Sequence, residues 1–299
     1  MTRPVLLSVF SLALIALFSW GLSCTTIPAG KNISDWLAIF PEDVSFYLYL
    51  ESKATGSILK EAIKDSRINS PEVQQLLDLT QHIYLAVRLD KDNPPAIWLI
   101  LLGNYPGLMQ TALDLNKDWQ RHNSKIPNWH NRLLGLNVGI PQDYLIIISS
   151  SEIDSLLARA QNNNPLKLKH ETIQRLESYE LALLFPLGLD DSLAEELGIG
   201  IRGKVISHLW LGAQKDNDYF NFGGVFTLAP QVNAEAFKKL LEFSLRAVIR
   251  NTEDKSQGTR LNSLVVSREN NFVSLHGLIL SSAELTTLLK GLLQKGPLL

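Results

Sequence analysis

A chain of 299 residues with a single cysteine cannot close an internal disulfide, so burial alone must stabilise whatever it folds into. That cysteine, Cys24, follows an apolar run from Val5 to Trp20. Roughly 270 residues lie beyond it, in a chain that is 45% hydrophobic, which is ample for a sizeable core.

The N-terminus has the layout of an export signal. Arg3 is the one charge ahead of the apolar run, giving a short positive region and then a hydrophobic one. Counted through Leu22 the run is about 18 residues, the low end of what a spanning helix needs, so a cleaved signal and a retained anchor helix compete. The small residue Ser23 directly before Cys24 suits cleavage, with Gly21 and Leu22 before it. These residues resemble the lipobox of bacterial lipoproteins, in a relaxed form similar to that of spirochaete lipoproteins. Leu22 stands one place later than the usual leucine. The resemblance implies that Cys24 is acylated and becomes the new N-terminus. Residues 1–23 would be the signal peptide, and 24–40 a tether holding the protein in the bacterial cell envelope. Inner and outer membrane both remain open.

Removing residues 1–23 takes away one base and no acid, leaving 27 basic and 30 acidic residues. So mild a balance gives no electrostatic footprint for nucleic acid. Nor does it supply the polybasic cluster that recruits proteins to anionic lipid.

The body reads as a duplication. Ile148–Leu157 and Leu280–Leu289 align at a fixed offset, and each ends a strand-like run and then offers Ser-x-x-Glu before leucines. That is the pattern of a capping box. Alternation and turn signals predict strands at 44–51, 82–89, 96–103, 132–139 and 143–149 in the first half, with helices at 53–65, 71–79, 106–120 and 151–160. The second half reads as strands at 179–186, 204–213, 219–228, 260–267 and 272–280, with helices at 190–197, 231–250 and 283–294. The expected architecture is α+β: two similar β-α-β-β-α-β-β-α units over 41–160 and 178–299, joined by a connector at 161–177. The strands would form antiparallel sheet covered by helices. Whether they join into one sheet is left open.

No catalytic constellation emerges. Gly198, Gly200 and Gly203 have dinucleotide-fingerprint spacing, but a helix precedes and a strand follows, the reverse of what a pyrophosphate site needs. The six histidines, His82, His122, His130, His170, His208 and His276, show no metal-ligand motif. His122 and His130 flank one loop. The paired acids Asp190-Asp191 and Glu195-Glu196 suit a solvated helix face. No cofactor, metal site or catalytic residue is therefore expected.

Two features point to binding instead. Tyr47, Tyr49, Tyr84 and Trp98 are placed to cluster on one sheet face, as are Trp210, Tyr219 and Phe222, either as core or as an exposed patch. The helices at 231–250 and 283–294 each carry a leucine-rich stripe, the first flanked by Lys238, Lys239, Arg246 and Arg250. Such a stripe packs on a sheet or lies in a bilayer interface. The candidate membrane or lipid contacts are Phe237, Leu241, Leu245, Leu285, Leu289 and Leu292. At the level of class these helices make the chain similar to treponemal outer-membrane-associated lipoproteins whose amphipathic helices enter the bilayer. The expected function is a non-enzymatic, membrane-anchored lipoprotein that binds a protein or envelope component. Lipid binding or membrane perturbation through the two helices is the alternative, and an envelope enzyme a third.

Overall fold

The computed structural model describes residues 33–64, 69, 71–89, 95–107, 109–122, 124, 126–162, 178–189, 205–250 and 257–295. Cys24, the glycines at 198–203 and the paired acids at 190–196 lie outside the described residues.

Among the described residues twelve strands form one antiparallel sheet. They are β1 (Phe46–Glu51), β2 (Thr80–Arg88), β3 (Ala96–Gly103), β4 (Trp119–His122), β5 (Asn128–Asn131), β6 (Leu136–Gln142), β7 (Leu145–Ser149), β8 (Leu181–Phe185), β9 (Ile206–Asp216), β10 (Tyr219–Leu228), β11 (Val265–Glu269) and β12 (Phe272–Ser281). Their order across the sheet is β11-β12-β10-β9-β8-β1-β2-β3-β7-β6-β5-β4.

The described helices are α1 (Ile33–Leu37), α2 (Ser52–Ile63), α3 (Pro71–Leu79), α4 (Met109–Leu115), α5 (Asp154–Asn162), α6 (Ala234–Arg250), α7 (Gln257–Ser263) and α8 (Ser282–Lys295). Six of them share one hydrophobic core with one sheet face, through residues such as Ile58, Leu113, Phe237, Leu261 and Leu285. α1 and α5 cover the other face over the N-terminal strands, where Trp36, Leu156 and Leu157 pack on Tyr47, Tyr84, Trp98 and Ile147. A central strand covered on both sides must be apolar at every position, and Phe46-Tyr47-Leu48-Tyr49-Leu50 in β1 satisfies that.

The α+β class stands, but two similar β-α-β-β-α-β-β-α units do not form. The halves merge into a single sheet through β1 and β8, paired from Tyr47↔Leu184 to Leu50↔Leu181. Separate units would leave both of these apolar strands with an unpaired edge. The element orders also differ. The first half contains an additional hairpin, β4–β5, at the sheet edge. The helix expected over 106–120 stops at Leu115 because Asn116 turns the chain, accepting from Asp118 N at its side chain (2.8 Å) and from Trp119 N at its carbonyl (3.1 Å). The strand expected over 132–139 is cut by a turn, where the Asn131 side chain accepts from the N–H groups of Leu133 and Leu134.

The start of the strand expected at 260–267 is α7 instead. There Arg260, 1% exposed, donates to the Ile279 carbonyl and to Glu284. The tether expected over 24–40 ends earlier, since Trp36, Leu37, Ile39 and Phe40 are all buried and Arg159 donates to the Phe40 carbonyl (2.6 Å). The expected helix at 190–197 falls outside the described residues.

Candidate membrane-contact surface

Helix α6 is held at its start by Asn233, whose side chain accepts from Ala236 N (3.1 Å). Its 17 residues run for about 25 Å across β11 and β12. Ala234, Phe237, Leu241, Leu245 and Ile249 recur at helical spacing and enter the core, with the Phe237 ring 5.7 Å from that of Phe226. A second apolar stripe runs along the other side. Leu240 is 59% and Phe243 70% exposed, and the exposed Ala236 and half-buried Ala247 extend the line. Charges border it as ion pairs one turn apart, Lys239–Glu235 (3.8 Å) and Arg246–Glu242 (3.0 Å). A helix with apolar residues on both sides and only one side packed presents the other to whatever lies outside.

Helix α8 begins with a formed capping box. The Ser281 N–H and hydroxyl both bond Glu284 Oε2 (2.7 and 2.9 Å), and Glu284 N donates back to the Ser281 hydroxyl (3.2 Å). The same helix packs on α2, to which Lys290 reaches with an ion pair to Glu61 (3.4 Å). Leu285 is buried and Leu289 packs beside it, while Leu288 is 54% exposed. The matching serine pattern at 149–152 does not cap a helix. Ser149 Oγ accepts from Ser151 N (3.0 Å) and α5 begins only at Asp154.

Of the six contacts expected from sequence, Phe237 and Leu285 are buried, and Leu241, Leu245 and Leu289 pack on the same core. The Leu292 side chain lies outside the described residues. The residues that do face outward, Leu240, Phe243 and Leu288, were not among them. Phe243 was legible as a large aromatic turned away from the main leucine stripe, a position where a surface helix ordinarily carries a polar residue.

Apart from Tyr219, which is half-buried, the aromatic residues are core rather than patch. Tyr47, Tyr49, Tyr84, Trp98 and Trp210 are buried under α1 and α5 or beside them, and Phe222 is buried on the opposite face. Burial, with the nearby Glu42 and Asp43 carboxylates, pushes the Tyr47 hydroxyl up to about 12. Tyr49 shares a hydrogen bond with His82 Nδ1 (3.0 Å), and burial lowers the His82 pKa although Glu51 opposes it. Among the described residues no group of three His, Cys, Asp or Glu side chains is placed to hold a metal. Among the same residues no helix is long and apolar enough to cross a membrane.

The whole arrangement has a counterpart among solved structures. The fold is shared with TP0453. Its crystal form III matches at a TM-score of 0.66 and 12% identity, covering 85% of this chain and 97% of that one. Crystal form I matches at 0.62 and 13% identity, over 86% and 96%. Crystal form IV gives 0.63 and 13%, over 85% and 96%. At such identities the likeness to TP0453 concerns the fold alone. It assigns no function. No family model and no curated protein matches the chain.

Proposed function

We propose that this is a non-enzymatic envelope lipoprotein, anchored through an acylated Cys24, whose helix α6 contacts the membrane with the Leu240–Phe243 side. The observation that carries the reading is the second apolar stripe on α6, exposed while the first packs on the core. The relaxed lipobox around Cys24 supports the anchor, and the fold shared with TP0453 supplies the sheet on which α6 lies. Burying Leu240 and Phe243 in lipid contributes about 3–6 kcal/mol at most. That is comparable with one short acyl chain, so the stripe orients the protein while the lipid on Cys24 anchors it.

Vesicle flotation of a protein lacking residues 1–24 isolates the stripe from the anchor. Binding to phospholipid vesicles at physiological salt is expected, and Leu240→Glu with Phe243→Glu should abolish it. No flotation of the unsubstituted protein would sink the membrane reading. A protein partner is the second reading, favoured by the outer face of β11 and β12, where Val265 and Phe272 remain 52% and 43% exposed. Loss of a crosslinked envelope partner on Val265→Asp, with flotation unchanged, would support it.

A further inference from the structure

We propose that His122 and His130 form a two-imidazole site for a zinc-class divalent cation at the β4 edge of the sheet. β4 is the terminal strand, and its pairing with β5 sets Gln120 opposite His130 and His122 opposite Asn128. His122 and His130 are thus diagonal neighbours on one face of the hairpin. Their ring centroids are 6.1 Å apart, with planes at 72°. Two imidazoles bound to one ion at about 2.0–2.1 Å per bond bring their centroids to roughly 5 Å. Rotation of the exposed His122 side chain on the outermost strand covers that difference.

The protonation pattern of His130 is set in advance. Asn137 donates its Nδ2 to the Ser151 carbonyl (2.7 Å), which leaves its Oδ1 to accept from His130 Nδ1 (2.9 Å). With Nδ1 carrying the proton, the lone pair lies on Nε2, facing away from Asn137. A ligating histidine is commonly oriented in this way, by an acceptor behind its second nitrogen. Neighbouring groups on this face are already engaged. Arg132 donates to Gln120 Oε1 (2.9 Å), and Asn128 donates to Asp154 Oδ1 (3.2 Å). Arg121 turns to the other face, where it pairs with Asp114 (2.9 Å) over the Trp129 ring. The protein supplies two nitrogen ligands and leaves the other tetrahedral positions to water or to donors from a second molecule. Imidazole nitrogens favour zinc, nickel and copper over magnesium or calcium.

Zinc chloride titrated into the full chain, followed by calorimetry and by nitrogen-15 spectra of the imidazoles, tests the assignment. One zinc per chain is expected, with the His130 Nε2 resonance shifting and Nδ1 remaining protonated. His122→Ala and His130→Ala should each weaken binding at least tenfold, and His276→Ala should leave it unchanged. Asn137→Leu keeps both imidazoles and tests orientation alone, with a several-fold loss expected. Circular dichroism should match across all four variants, since His122 is exposed and His130 half-buried. Equal affinity in the double variant His122→Ala/His130→Ala, or no imidazole shift at millimolar zinc, would overturn the proposal.

Discussion

Arg260 and Glu284 show what one buried charge demands of its neighbours. Arg260 is 1% exposed, and its guanidinium is neutralised by Glu284 at 2.8 Å while Nε donates to the Ile279 carbonyl. Glu284 is at once the ion-pair partner and the capping residue of α8. Burial raises the Glu284 pKa, but the Ser281 N–H and hydroxyl and the Arg260 guanidinium together hold it below the ordinary 4.5. The folded state therefore binds this proton less readily than the unfolded chain. The corresponding stability is complete above the unfolded carboxylate value and is lost as pH falls through the folded one. Glu284→Ala removes the carboxylate from the buried guanidinium and the side-chain cap from α8, and should cost about 3 kcal/mol in urea unfolding at pH 7. Glu284→Gln should flatten the decline in stability below about pH 4.5. An acid limb identical to that of the parent protein would exclude Glu284 as its source. The capping half of this arrangement is local, and Ser-x-x-Glu announces it in the sequence. The Arg260 half is not, because nothing near Arg260 in the chain marks it for burial beside a residue 24 positions later.

Elements divide in the same way. Strand and helix periods identify β1, α2, α3, β3, β8 and β10 closely, because local alternation and burial agree there. They fail at β4 and β5, where four-residue strands are too short for a period to register and Asn116 and Asn131 direct the chain through side-chain hydrogen bonds. The amphipathic period of α6 is plain in the sequence, yet its expected contacts Phe237, Leu241 and Leu245 all lie on the inner side. A hydrophobic stripe marks the side a helix prefers to bury, and the sheet beneath α6 takes that side first. Phe237→Ala, which empties a core position 9% exposed, should destabilise by about 3–5 kcal/mol. Phe243→Ala, at 70% exposed, should change stability by about 0.5 kcal/mol or less. Chemical denaturation of the two variants checks both, and equal losses would mean that Phe243 is covered in the native state.

For the whole molecule the decisive contact is the seam between β1 and β8. Beyond their paired residues, Glu51 N donates to the Glu180 carbonyl (2.7 Å), and Lys290 of α8 reaches Glu61 of α2. The two halves share one core on the helix-rich face, with Leu50 and Ile83 in the same cluster as Phe220 and Leu280. Urea unfolding followed by tryptophan fluorescence and by far-ultraviolet circular dichroism should give coincident transitions. A piece ending at residue 162 should fail to fold alone, because it exposes the β1 edge and half of that core. Two separated transitions would show that the halves are independent despite the seam.

Features that depend on neighbours in the chain are legible in the amino-acid sequence. It established an apolar N-terminal run ending at a lone cysteine, an α+β composition, antiparallel strands joined by short turns, and the cap of α8. Long-range packing sets the rest: the strands form one sheet, the Leu240–Phe243 side of α6 stays outside, and His122 and His130 meet across a hairpin. The physical reason is one of range. Periodicity, turn chemistry and capping act over a few residues, whereas sheet order and exposure depend on which distant surfaces compete for the same burial.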